Sequence, residues 1–235
     1  MRAFFVPILA GGNLRDRVLA CVGALFGIGL TSAISASLIH PDGAFLLIAA
    51  PMGAAAVLVF AVPASPLAQP WPVVGGNVIA AIVGVTVAKL VPAPEIAAGI
   101  AVAAAILAMS VTRSLHPPAG AVALTAVVGG PAVLHAGYAF AVVPVALNAV
   151  ILMTLGVLFH KLTGHSYPHR TRVVAAQAPP AIGHEPEDLD NALIDLGDTL
   201  DVSREDLDML VERIEHHAAR RRSADARPGQ RPRPV

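Results

Sequence analysis

Residues 112–121 of this chain read TRSLHPPAGA, and they separate the apolar run 96–111 from a second apolar run that ends at residue 128. Proline is favoured in the first turn of a helix, where its missing amide hydrogen would be unpaired in any case. Pro117 and Pro118 therefore predict the start of a new helix directly after a cation, two hydroxyls and an imidazole. The stretch predicts that one apolar helix ends and another begins around a few polar side chains.

The composition indicates that lipid is the solvent of most of the chain. Of 235 residues, 55% are hydrophobic and 14% are charged, whereas soluble domains usually carry about 25% charged residues. Between residues 18 and 160, Asp42, Lys89, Glu95 and Arg113 are the only Asp, Glu, Lys or Arg residues. We therefore predict an integral membrane protein whose first partner is the lipid bilayer, and the net charge of zero argues against a nucleic-acid partner.

Catalysis is not expected from this sequence. It contains neither a His-Glu-x-x-His metal motif nor a recognisable nucleophile paired with a base. We therefore expect no enzyme activity, no metal and no other cofactor.

Six apolar runs predict an all-α, polytopic transmembrane bundle of about six segments. A membrane-spanning helix needs roughly 20 mostly apolar residues, and the separators between the runs are rich in proline and glycine, which end helices. The fifth run is short enough to re-enter the membrane instead of spanning it, so four or five spans are an open alternative. The runs are 18–39, 44–62, 73–91, 96–111, 119–128 and 138–160.

The basic residues predict the orientation of the bundle. With the N-terminus inside, six crossings place every basic residue near the spans except Lys89 on the cytoplasmic side, as the positive-inside rule requires. We therefore expect a bacterial inner-membrane protein with both termini in the cytoplasm.

The core also contains an internal repeat by sequence. The order His-Pro, Asn, Lys-Leu occurs at His40, Asn77 and Lys89 and again at His116, Asn148 and Lys161. Three segments per half is an odd number, so we predict a 3+3 inverted repeat with short broken or re-entrant helices, as many transporters have.

The chain after the spans has a different character. We assign residues 1–170 to the transmembrane domain and 171–184 to a polar linker. Residues 185–222 have the apolar spacing of two short amphipathic helices, and 223–235 read as a disordered basic tail. We predict a small cytosolic helical hairpin that packs on the protein or joins copies of it in a homo-oligomer.

Few polar residues are available for a binding site, and polar groups within a membrane are costly unless they face a cavity or a partner. A helix start points unpaired amide hydrogens and a partial positive charge forward, which suits an anion. For the two asparagines, hydrogen bonds between helices are an equally good explanation, and His40 fits a headgroup contact at least as well. The substrate-binding candidates are Arg113, Ser114, His116, Pro117, Pro118, Gly120, His40, Asn77 and Asn148.

The segment 112–121 around His116, Pro117 and Pro118, together with Ser-Pro-Leu-Ala-Gln-Pro at 65–70 and Gly-Gly-Asn at 75–77, resembles the HPP family of integral membrane proteins over about residues 14–170. The resemblance implies a helical transmembrane domain, and the plastid and cyanobacterial members are nitrite transporters. Trp71-Pro72 departs from the family pattern after Gln69-Pro70, and we expect none of the CBS regulatory domains found in many bacterial members.

The resemblance therefore implies a permease for a small inorganic anion such as nitrite. The alternative is a membrane scaffold or sensor that transports nothing and anchors the cytosolic hairpin.

Overall fold

The computed structural model describes residues 14–38, 49–169, 186–196 and 204–225, which form helices, turns and short connections without any strand. The membrane part contains α1 (Leu14–Leu38), α2 (Pro51–Ala61), α3 (Asn77–Leu90), α4 (Pro94–Val111), α5 (Pro117–Val128), α6 (Pro131–Ala136) and α7 (Leu147–Thr163). A 3-10 turn covers Pro66–Ala68, and widened helical segments lead into α3 (Pro72–Gly76) and α7 (Ala141–Ala146). The prediction of an all-α membrane bundle is confirmed.

Each of the six predicted runs contains a helix, but the helices differ in length. Four are long and apolar enough to cross a membrane, namely Leu14–Leu38, Pro72–Leu90, Pro94–Val111 and Ala141–Thr163. The other two, α2 and α5, have 11 and 12 residues, so each is about 17 Å long against a hydrocarbon core of about 30 Å. Both short helices begin with proline.

The second predicted run, 44–62, is not one continuous helix. Ala49 and Ala50 are outside any helix, and α2 begins only at Pro51. Pro51 occupies the first turn of α2, where its missing amide hydrogen leaves no helical bond unmade. The repeat also predicts a helix start at residues 41–44, which lie outside the described residues.

The helices pack as two groups of three. α3 contacts α4 and α5, while α7 contacts α1 and α2. If α1, α2 and α3 correspond to α4, α5 and α7, each third helix packs against the first two helices of the other half. This exchange is consistent with the predicted repeat, and the inversion of one half stays a prediction.

Small residues bring the helices close together. An added Cβ on Gly27 would overlap the Phe60 ring, and one on Gly156 would overlap the Val59 side chain. At the α3–α5 contact, a Cβ on Gly84 would lie 2.6 Å from the Ala123 carbonyl oxygen and 2.8 Å from the Ala126 Cβ. In a membrane, where lipid tails are as apolar as leucine, such close contact is a main source of helix association.

Two further helices, α8 (Pro186–Leu196) and α9 (Arg204–Asp225), belong to a second compact unit. In α8, Leu193 is buried. α9 continues to Asp225 and therefore includes the first three residues of the predicted tail. The linker 171–184 lies outside the described residues, and the pairing of the two helices into a hairpin stays a prediction.

The α3–α5 contact predicts the effect of adding one methyl group. Gly84→Ala should lower the free energy of unfolding by about 1–3 kcal/mol, because backbone of α5 must move to admit the Cβ. Gly99→Ala is the matched control, since Gly99 is a helical glycine with open space around it, and it should be neutral or raise the free energy by up to about 1 kcal/mol. Thermal unfolding in detergent measures both variants, and equal melting of Gly84→Ala and the parent would contradict this packing.

Candidate functional site

The end of α4 is closed by a pair of backbone hydrogen bonds. The Arg113 amide donates to the Ser110 carbonyl at 3.2 Å, and the Ser114 amide donates to the Met109 carbonyl at 2.8 Å. This is the Schellman pattern, whose central residue is left-handed and usually glycine. Here the position is Arg113, with φ of 54°. Arginine has a conformational cost at this position, because its Cβ disfavours the left-handed backbone that glycine adopts freely.

After the turn at Arg113, residues 114–116 are extended, and buried and exposed side chains alternate from residue 113 to residue 118. Ser114, His116 and Pro118 are buried, whereas Arg113, Leu115 and Pro117 are exposed. An extended backbone turns successive side chains in opposite directions. The predicted site residues in this segment are therefore divided into an inward and an outward set, and Arg113 does not lie beside the imidazole.

His116 is fixed by one hydrogen bond. Its side chain is completely buried, and Nδ1 lies 2.9 Å from the Leu67 carbonyl oxygen. A carbonyl oxygen can only accept, so Nδ1 carries the hydrogen and Nε2 of the neutral ring has a lone pair. Nε2 is buried and has no hydrogen-bond partner among the described residues.

Gly76 allows the segment to approach α3. A Cβ on Gly76 would overlap the Ser114 carbonyl oxygen and lie 2.9 Å from the His116 Cβ. Any larger residue at this position would push the histidine segment away from the bundle. The Gly-Gly-Asn element and the His-Pro-Pro element, which are far apart in the sequence, are therefore in contact.

Asn77 follows Gly76 directly and is also fully buried. Its side-chain amide donates to the Val73 carbonyl at 2.6 Å within the same helical segment. Its Oδ1 is buried without a hydrogen-bond partner among the described residues. Two buried acceptor atoms, Asn77 Oδ1 and His116 Nε2, thus lack hydrogen-bond partners among the described residues. Asn77 follows Gly76, and Gly76 contacts His116.

Asn148 has a different environment, although it is the counterpart of Asn77 in the predicted repeat. Its Oδ1 accepts a hydrogen bond from the Ser35 hydroxyl at 3.3 Å, which joins α7 to α1. Asn148 therefore fits the alternative of a hydrogen bond between helices. His40, the counterpart of His116, lies outside the described residues.

Side-chain hydrogen bonds fix the connection between α2 and α3, which carries the Leu67 carbonyl that binds His116. Gln69 Nε2 donates to the Pro63 and Ser65 carbonyl oxygens, at 2.9 and 2.8 Å, and Gln69 Oε1 accepts from the His169 amide at 2.9 Å. The Trp71 indole donates to the Thr112 carbonyl at 3.1 Å. The departure from the family pattern at Trp71 thus supplies a tie to the end of α4.

Tyr167 fixes the same connection from the chain after α7. Its hydroxyl donates to the Ala68 carbonyl oxygen at 2.7 Å, next to the carbonyl that holds His116. Burial raises the pKa of the Tyr167 phenol, so the hydroxyl stays protonated and keeps donating. Sequence reasoning did not single out Tyr167, because nothing along the chain indicates that a residue beyond the last span returns to this loop.

The start of α5 offers fewer amide donors than predicted. Pro117 and Pro118 have no N–H, and the Ala119 amide donates to the His116 carbonyl at 2.9 Å. The Ala119 amide is therefore not available to an anion, and the partial positive charge of the helix start is unaffected. Gly120 is half-buried, and the nearest atom to an added Cβ there, from Val102, lies 4.0 Å away.

Among the described residues, no group of three His, Cys, Asp or Glu side chains is placed to hold a metal ion. The site is built from one imidazole, one side-chain amide and the Ser114 hydroxyl, which lies 2.8 Å from the Thr112 hydroxyl. Imidazole, amide and hydroxyl groups are able to form hydrogen bonds with small polar solutes.

The fold and the buried polar segment define a helical integral membrane protein with a small polar site at helix ends. Comparison with protein families matches residues 10–168 to the HPP transmembrane region, so the chain belongs to this family.

Two curated relatives share this region. A transmembrane protein of Dictyostelium discoideum is 33% identical over 156 residues, which cover 63% of this chain and 54% of the relative. A second transmembrane protein of the same organism is 38% identical over 104 residues, 43% of this chain and 33% of the relative. The chain thus spans about half of the first relative and a third of the second, and no solved structure matches it significantly.

The left-handed backbone at Arg113 predicts a gain in stability on substitution by glycine. Arg113→Gly should raise the free energy of unfolding by about 1 kcal/mol, because glycine adopts this conformation without the Cβ clash. Arg113→Ala is the control, since it removes the same side chain and keeps the clash. Thermal unfolding of the two variants in detergent should therefore differ, and identical midpoints would contradict the conformation assigned to residue 113.

Proposed function

We propose that this protein is a permease for a small inorganic anion, and that nitrite is the first anion to test. The observation that carries the proposal is the pair of buried atoms without partners, His116 Nε2 and Asn77 Oδ1, inside the apolar bundle of an HPP-family membrane domain. Buried polar atoms in folded proteins almost always have partners. Two such atoms, one on the motif segment and one on the α3 residue next to Gly76, mark the place where we expect a polar solute to bind.

The binding groups follow from the geometry. A protonated His116 donates from Nε2 to the anion. α5 begins at Pro117, and the buried Pro118 lies in its first turn, so the positive end of the helix adjoins the His116 segment. Ser114 supplies a hydroxyl on the inward side, and Pro117 and Gly120 shape the entrance without donating.

Arg113 has a separate task in this proposal. Its side chain is on the outward side of the segment, where a permanent cation raises the local concentration of anions and speeds their entry. We therefore assign Arg113 to capture of the anion and His116 to its binding within the bundle. Asn148 holds α7 to α1 and is omitted from the binding set.

Uptake by proteoliposomes tests the permease and the role of Arg113 together. Arg113→Ala should lower protein-dependent nitrite uptake about tenfold at low ionic strength, since steering by a charge raises the rate of entry by about tenfold or more. Arg113→Lys should keep most of the activity, because it keeps the charge that attracts the anion.

Lys161→Ala is the matched control, because Lys161 is an exposed cation at the end of α7 and should leave uptake unchanged. Equal uptake by Arg113→Ala and the parent would remove Arg113 from the mechanism. Vesicles with and without protein that take up nitrite, nitrate and other small anions equally would contradict the permease and favour a scaffold or sensor that anchors α8 and α9.

A further inference from the structure

We propose that His116 Nε2 binds one proton together with each anion, so that the permease is an electroneutral proton–anion symporter and not an anion channel. This inference rests on the proposed function and specifies its substrate as an anion accompanied by a proton, which is chemically a weak acid. Its support is the hydrogen bond at His116 Nδ1, the atoms Nε2 and Asn77 Oδ1 without partners among the described residues, and the charges around the ring.

The tautomer of His116 decides what the site accepts. Because Nδ1–H is committed to the Leu67 carbonyl at 2.9 Å, the only position that can gain a proton is Nε2. Asn77, next to the Gly76 that contacts His116, has a second buried acceptor without a partner among the described residues, Oδ1. A bare anion at Nε2 meets a lone pair, which repels it, while a protonated solute offers the donor that Nε2 lacks.

The charges around the ring make the two binding events depend on each other. The described parts of the elements packed around His116, residues 51–84 and 109–128, contain no Asp or Glu, and Arg113 is their one permanent charge. An imidazolium at His116 without an anion would therefore be a buried, unpaired charge, which is costly. The anion is the counter-ion that the protonated ring requires, so neither ion binds well alone.

Other titratable groups lie farther from the ring or at the surface. Lys89 and Glu95 are about 20 Å along α3 and α4 from the end that holds His116. A second set lies in the last turn of α7 and in the chain that follows it, and the buried Tyr167 of this set reaches the Ala68 carbonyl, next to the one that holds His116. That set consists of His160, Lys161, His165, Tyr167 and His169.

The two halves of the bundle differ where the repeat predicts that they match. Asn148 Oδ1 accepts from the Ser35 hydroxyl, whereas Asn77 Oδ1 has no donor among the described residues, and the α4 side chain nearest to Gly76 is Met109, which cannot donate. Asn148 therefore holds helices together, and Asn77 leaves its oxygen open. Asn77 adjoins Gly76, which contacts His116, so this asymmetry places the proton and the anion where the Asn77 side meets the His116 segment.

The step conserves atoms and charge. The acid approaches Nε2, an N–H bond forms as the O–H bond of the acid breaks, and the imidazolium and the anion remain as a neutral pair. On release, the proton leaves Nε2 with the anion or to water, and the ring returns to the Nδ1–H tautomer that Leu67 holds.

The experiment measures proton and anion movement in the same proteoliposomes. Nitrite is added outside at neutral pH, a pH-sensitive dye reports the lumen, and potassium with valinomycin sets the membrane potential. Protein-free vesicles are subtracted, because nitrous acid crosses lipid by itself and acidifies the lumen. We expect protein-dependent uptake to acidify the lumen, to be independent of the potential, and to fall by up to about tenfold per unit of rising external pH once protons limit it.

Two substitutions separate the ring nitrogens. His116→Asn keeps an amide donor at the position of Nδ1, toward Leu67, and removes Nε2, so it should keep the fold and lose both the acidification and the pH dependence of uptake. His160→Gln is the matched control, because His160 is a second buried histidine, held through Nε2 by the Val59 carbonyl at 2.8 Å, and glutamine keeps a donor there. This variant should retain proton-coupled uptake.

The outcomes distinguish this inference from the proposed function. Protein-dependent nitrite uptake that follows the membrane potential and leaves the lumen pH unchanged would overturn the symporter and leave the permease. Retained acidification in His116→Asn would overturn the role of Nε2. No protein-dependent flux of any small anion would overturn both, and the measurement on the parent protein decides the matter even if a variant does not fold.

Discussion

The hydrogen bond from His116 Nδ1 to the Leu67 carbonyl is the interaction on which the site depends. It joins the motif segment after α4 to the connection between α2 and α3, and it fixes which ring nitrogen is left to react. Gly76 makes the bond possible, because only a glycine admits the segment so close to the start of α3. Tyr167 braces the same connection from a third part of the chain. The polar chemistry of the bundle is thus concentrated where three connections meet.

The rest of the bundle serves to bury that site in an apolar surrounding. Alanine and glycine at the helix contacts let backbones approach closely, as at Gly84 and Ala123. The two short helices, α2 and α5, are each shorter than the hydrocarbon thickness of a bilayer, and both begin with proline. Few polar side chains are buried among the described residues, so the atoms without partners on Asn77 and His116 mark the polar site.

Much of the architecture could be predicted from the sequence, because long apolar runs between prolines and glycines have few alternatives to membrane helices. The six segments and the start of α5 at Pro117 followed from that pattern, and the family from the resemblance at residues 65–70, 75–77 and 112–121. The direction of each side chain could not be predicted, since it depends on the turn at Arg113 and the extended backbone after it. The loss of amide donors at α5 did have a signal, namely two consecutive prolines, which lack the N–H that an anion would need. The partner of Asn148, Ser35, is 113 residues away, and no spacing rule indicates it.

The central claim is that Nε2 of His116 is the atom that gains a proton when the anion binds. Nitrogen-15 NMR of histidine-labelled protein in lipid, with His116→Asn used to assign the signal, measures the protonation of both ring nitrogens directly. Without an anion, at neutral pH, we expect Nδ1 to be protonated and Nε2 to be bare, and saturating nitrite at the same pH should protonate Nε2 as well. A ring protonated on Nε2 alone before nitrite is added, or an Nε2 signal that nitrite leaves unchanged, would contradict the account.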